Sequence, residues 1–145
     1  MVNEMEDAML EERIRYLEMI QGTITRMASN SFALKGWAVT LIAGIFALSG
    51  KDTDKMYFLV AYLPIIIFWG LDSYYLLQER LYRSLFNKVR QLPASENNFL
   101  MIATYEEFKS KKNSFSNCVL SVTELWFYFP LALISTGIII LTHIF

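Results

Sequence analysis

Three apolar runs, at 33–49, 56–77 and 125–145, carry only two charged residues between them, Lys35 and Asp72. No other feature constrains this chain so strongly. Hydrocarbon offers no partner to a backbone N–H or C=O, so runs of this kind cross a bilayer as helices. Composition agrees: 54% of the 145 residues are hydrophobic and 15% aromatic, and mean hydropathy is +0.34 although 19% are charged. The fold class expected is all-α integral membrane, in one domain. A cytosolic amphipathic helix at 1–32 precedes the first of three transmembrane helices. A cytosolic sensing region at 78–124 precedes the last, and the chains assemble as a homo-oligomer.

The runs differ in quality. From Gly36 to Ser49 the first is free of charge for about 21 Å of helix. It therefore needs Ala33, Leu34 and the stem of Lys35 to reach the ~30 Å hydrocarbon core, with the ammonium snorkelling outward. The second, "MYFLVAYLPIIIFWGL" and onward to Leu77, contains Pro64, which is expected to kink it. Tyr57 and Trp69 mark its two ends as interfacial aromatics do. The third, "LWFYFPLALISTGIIILTHIF", covers about 31 Å. The polar "GKDTDK" at 50–55 is expected to be a tight outer turn.

Lysine and arginine placement sets direction. Arg13, Arg15 and Arg26 precede the first run, and the cations of 79–121 lie between the second and third. The 50–55 turn offsets its two lysines with Asp52 and Asp54. The positive-inside rule then puts the N-terminus in the cytosol and the C-terminus outside a prokaryotic plasma membrane. The acidic start, MVNEMEDAMLEERIR, is not that of a cleaved leader, so the first run is expected to stay.

Two cytosolic stripes follow from periodicity. Leu10, Ile14, Leu17, Gln21 and Ile24 form a short heptad-like seam, suited either to packing on the same chain or to pairing between subunits. Leu77, Leu81, Leu85, Val89 and Leu92 continue the second run as one helix leaving the membrane, until Pro93 stops it. Beyond it "ASENN" reads as a loop, "FLMIATYEEF" as a short helix or strand, and "KSKKNSFSN" as basic and polar.

Counting outward from Thr53, Lys35 and Asp72 come to nearly one depth, and Glu124 at the foot of the third run joins them. A lipid-facing charge costs roughly 2.5–3.5 kcal/mol at midplane, so these residues must pair or face water. Either Lys35 and Asp72 pair while Glu124 sits among headgroups, or the three residues repeat around an axis as an ion path. Small residues suit close helix contacts, at Gly36, Ala43, Gly44 and Ala47 and at Ser135, Thr136 and Gly137.

Catalysis is not expected. His143 is the only histidine and Cys118 the only cysteine, and no phosphate loop, dinucleotide fingerprint or zinc-protease motif is present. No metal site and no cofactor are expected. The cytosolic cations Arg80, Arg83, Lys88, Arg90, Lys109, Lys111 and Lys112 mix with Tyr82 and Tyr105. Phosphates attract such cations and bases stack on such rings, so a ligand surface for an oligonucleotide is conceivable there.

"NSFALKGWAVTLIAGIFAL" followed by "FWGLDSYYLLQERLYR" resembles the small prokaryotic membrane effectors encoded beside nucleotidyltransferase-like genes in anti-phage defence, the Hailong type in particular. The likeness is clearest over 21–86, weakens through the loop region and returns at "FYFP". Lys35, Gly36, Trp37, Asp72, Tyr75, Glu79, Arg80 and Arg83 stand at its recognisable positions. It implies a homo-oligomeric, tetrameric ion channel held closed by a short single-stranded DNA oligomer that a nucleotidyltransferase-like partner makes. Loss of the oligomer would depolarise the cell. The competing expectation is a non-conducting membrane anchor that recruits a cytosolic protein.

Overall fold

A computed structural model describes residues 2–48, 59–92 and 100–144; at 2, 3 and 142–144 it describes the backbone alone. The expected turn at 50–55, Tyr57, the "ASENN" loop and the His143 side chain lie outside what is described. The elements given for the described residues are α1 (Val2–Leu48), α2 (Tyr62–Gln91), a 3-10 turn (Lys111–Asn113), α3 (Phe115–Val119) and α4 (Val122–Ile144). Among the described residues there is no strand.

α1 runs unbroken through the 32/33 boundary for 47 residues, about 70 Å at 1.5 Å per residue. The amphipathic segment and the first apolar run are therefore one rod. α2 lies antiparallel to it, because partners ascend in one helix as they descend in the other. Arg13 meets Val89, Lys35 meets Asp72, and Ile42 shares a cluster with Ile65. Two apolar clusters hold the pair. One joins Tyr16, Ile20 and Ile24 to Leu85 and Val89, with Tyr82, Phe86 and Phe108 against its edge. The other joins Ala38 and Ile42 to Ile65 and to Tyr128 of α4.

By length and composition two helices can cross a membrane, Glu4–Leu48 and Val122–Leu141. Their most apolar windows are only 11% and 17% buried, which separates them from the core helices of a soluble protein. Outward faces carry Trp37, Leu41 and Leu48 on α1 and Trp126, Phe129, Leu133 and Ile134 on α4, all well exposed. α2 is not among the two: it begins at Tyr62 and soon reaches Asp72, Ser73, Tyr74, Tyr75 and Gln78, while 56–58, the apolar start of the second run, lie outside the described residues.

Several local expectations need correcting. The kink expected at Pro64 falls at a helix break: Leu59 is helical, 60–61 form a turn, and 56–58 lie outside the described residues. α2 begins at Tyr62, so Pro64 sits in the first turn, where the missing N–H has no intrahelical partner to lose. Pro130 is the interior proline, on α4, and it forfeits the bond to the Trp126 carbonyl. The stretch expected as short helix or strand is neither: residues 101–104 are irregular and 105–108 form a turn closed by Phe108 N–H donating to Thr104 O at 3.2 Å. The basic stretch after it holds the 3-10 turn and α3. On α2, Leu92 is extended (ψ 143°), as a residue before proline must be.

The α1 seam is also displaced. Leu10, Ile14 and Gln21 are exposed, and the buried stripe is Tyr16, Ile20, Thr23 and Ile24. α2 ends opposite Arg13, which donates to the Val89 and Arg90 carbonyls. The α2 stripe falls as expected, with Leu81, Leu85 and Val89 buried.

Candidate functional site

Lys35, Asp72 and Glu124 come together inside one chain, one from each long helix. The Lys35 ammonium donates to Asp72 Oδ2, to Glu124 Oε1 at 3.2 Å and to Ser31 Oγ at 3.2 Å. Tyr128 donates its hydroxyl to the same Asp72 oxygen at 3.1 Å. Sequence reasoning passed over Tyr128, although its position one helical turn beyond Glu124 would have placed it at this layer. Asp72 is 0% and Glu124 1% exposed, while the Lys35 side chain keeps 19%.

Surrounding groups fix this arrangement. Trp69 stacks on Tyr128 with centroids 5.9 Å apart and planes 12° from parallel, and its indole N–H donates to Val119 O at 3.0 Å. The ammonium also lies 5.7 Å from the Phe127 ring centroid and 5.9 Å from that of Tyr128, within cation–π range. Asp72 Oδ1 and Glu124 Oε2 are buried with no hydrogen-bond partner among the described residues. Formally, two carboxylates face one ammonium. Glu124 is thus a partner of Lys35 within one chain.

The cations expected to bind a ligand divide. Arg80, Arg83, Lys111 and Lys112 line one open cleft of about 950 Å³ with Ser121 and Thr123. Arg80 Nη1 donates to Lys112 O at 2.7 Å and lies 3.4 Å from Cys118 Sγ; Arg83 Nε donates to Glu79 Oε1 at 2.8 Å. Lys88 stands apart, bonded to Glu107 at 2.5 Å and 5.9 Å from the Phe108 ring. Arg90, Lys109 and Tyr105 are exposed. Tyr82 is half-buried against the cluster of Tyr16, Ile20 and Leu85.

Three anchoring residues escaped the sequence reading. Arg13 Nη2 donates to the carbonyls of Val89 and Arg90 at 2.7 and 2.9 Å, capping the last turn of α2 as a cation does best. The Tyr16 hydroxyl donates to Leu100 O at 2.6 Å. Asn113 Nδ2 donates to Phe108 O at 2.8 Å and Ser84 Oγ at 3.2 Å, stapling the loop to α2. Cys118 is a buried free thiol, and burial pushes its pKa up despite Arg80 beside it.

The small residues serve two faces. Gly36, Thr40, Ala43 and Ala47 are all exposed at steps of four, three and four, and Cβ atoms at Gly36 or Gly44 would meet nothing within 4 Å. Two of those on α4 turn inward: Ser135 is buried and Thr136 Oγ1 bonds the Tyr62 hydroxyl at 2.7 Å, while a Cβ at Gly137 would meet nothing within 4 Å.

Fold and site together define an all-helical protein with two helices able to cross a membrane and a buried charged joint between its three long helices. No family model, curated protein or solved structure matches the chain.

Proposed function

We propose that this chain is a three-span subunit of a homo-oligomeric, ligand-gated channel in a prokaryotic plasma membrane. The N-terminus and the 78–124 region face the cytosol. α2 is the third span, its Asp72 tolerated because Lys35 and Tyr128 satisfy it inside the bundle. Subunits meet through the outward stripe of Gly36, Thr40, Ala43 and Ala47, which lets backbones approach closely. A nucleotide or short single-stranded DNA oligomer, the ligand the resemblance implies, holds the pore closed from the outer cytosolic cations Lys88, Arg90 and Lys109. Its loss depolarises the cell.

The observation that carries this reading is the continuity of α1 and α2. Each runs without a break from the cytosolic cluster at Ile20 and Leu85 to the charged joint at Lys35 and Asp72. A shift in the head must therefore act on the joint. With its three charges engaged in one chain, the joint is the latch of the closed state.

That same engagement favours a second reading, a non-conducting anchor whose charges only hold helices together. Purified protein in liposomes carrying a potential-sensitive dye separates the two. Potential should collapse without ligand and hold when the oligomer is present, and Asp72→Ala should alter the leak. Potential that holds under every condition leaves the anchor.

A further inference from the structure

We propose that the cleft between α2 and the 111–123 segment binds the headgroup of an acidic phospholipid, whose acyl chain lies along an apolar groove on α4. This rests on the membrane reading above, and on three observations that are independent of the gating ligand.

The first is charge. Arg80, Arg83, Lys111 and Lys112 converge on the cleft, Ser121 and Thr123 add hydroxyls, and no carboxylate lines it. Arg83 is shared with Glu79, but Lys111 and Lys112 form no ion pair among the described residues. The second is depth. Thr123 adjoins Glu124 of the charged joint, and Arg80 lies eight residues beyond Asp72 along α2, about 12 Å. The cleft thus spans the level at which headgroups lie outside the hydrocarbon core. The third is continuity. Val122 belongs to the cleft, and Trp126, Phe129 and Leu133 follow it at steps of four, three and four on one face of α4. With Leu125 and Pro130 these three line a groove of about 560 Å³ that is almost wholly apolar.

A phosphate held by cations and a chain held by Trp126 and Phe129 is the chemistry of a two-part ligand. A soluble phosphate would use the cleft and ignore the groove. A leaflet lipid uses both, and each cation near such a surface adds appreciable attraction. Positive-inside bias alone would scatter these cations and would not seat them above a groove.

The test uses the full chain in nanodiscs of phosphatidylcholine, with and without phosphatidylglycerol, reading lysine acetylation rates by mass spectrometry. Phosphatidylglycerol should slow Lys111 and Lys112 about tenfold while leaving exposed Lys109, outside the cleft, unchanged. Unchanged rates at Lys111 and Lys112 would overturn the proposal. So would equal slowing by inorganic phosphate or a short DNA oligomer in phosphatidylcholine alone. Native mass spectrometry gives a second reading. The Lys111→Gln/Lys112→Gln variant and Trp126→Ala should each lose retained phosphatidylglycerol; full retention by both overturns the site. Failure to stay in carbonate-washed membranes would remove the membrane reading itself. Retention there with unaltered lysine rates removes only the lipid site.

Discussion

Tyr128 and Lys35 converge on one oxygen, Asp72 Oδ2, which accepts the tyrosine hydroxyl at 3.1 Å as well as the ammonium. Neither donor comes from the helix that carries the carboxylate. One atom on α2 thereby ties down both α1 and α4, and the bundle's registration depends on it.

Removing the ammonium should be costly. Lys35→Met leaves two buried carboxylates unopposed and should destabilise the protein by about 3–5 kcal/mol. Adding Asp72→Asn should recover a substantial part of that loss. The check is a double-mutant cycle by thermal unfolding in detergent; additive losses would mean that the pair is not coupled.

Tyr128→Phe keeps the Trp69 stack and loses only the hydroxyl. The expected loss is roughly 1.5–3 kcal/mol, that of a hydrogen bond to a charged group. Indole fluorescence should remain native-like below the transition, since the ring contact survives. A stability equal to wild type would show that the hydroxyl contributes nothing.

Bulk placed on the outward stripe should act between chains and not within one. Gly36→Leu with Ala43→Leu meets no obstacle in the fold around Gly36, and both positions are exposed. The helical circular dichroism should therefore persist while native mass spectrometry shifts from oligomer to monomer. An unchanged oligomer would move the subunit contact elsewhere.

The Cys118 thiol should be sluggish. Its raised pKa keeps it protonated at neutral pH, and its burial denies access. Maleimide should label it more than about tenfold more slowly than in denatured chain, because the thiolate is the reactive form. In Arg80→Ala the pH at which labelling quickens should move upward, because the guanidinium 3.4 Å from the sulfur favours the thiolate.

Depth was legible from sequence and direction was not. Counting residues from a turn brings Lys35, Asp72 and Glu124 to one level, because helical rise is uniform. Whether those side chains face a neighbour or an axis depends on helix rotation. That rotation is set by Tyr128, Trp69 and the Ile42–Ile65 packing, long-range contacts without a local signature. The α2 stripe was legible because one buried face repeats through four turns. The α1 seam misled because Leu10 and Ile14 keep the right period but lie near or beyond the point where α2 ends. Arg13 read only as a topology marker; its capping role needs the α2 terminus beside it, 76 residues away.

The unbroken length of α1 has a mechanical consequence. From Lys35 back to Glu4 the rod reaches about 47 Å. Fastened to α2 at Arg13 and Ile20, it would carry that helix with it, and a tilt of the pair by about 10° about Lys35 would sweep Glu4 through roughly 8 Å, close to the spacing between packed helices. The chain thus contains a lever arm, and a fluorophore at Glu4 would report angular changes too small to resolve at the fulcrum.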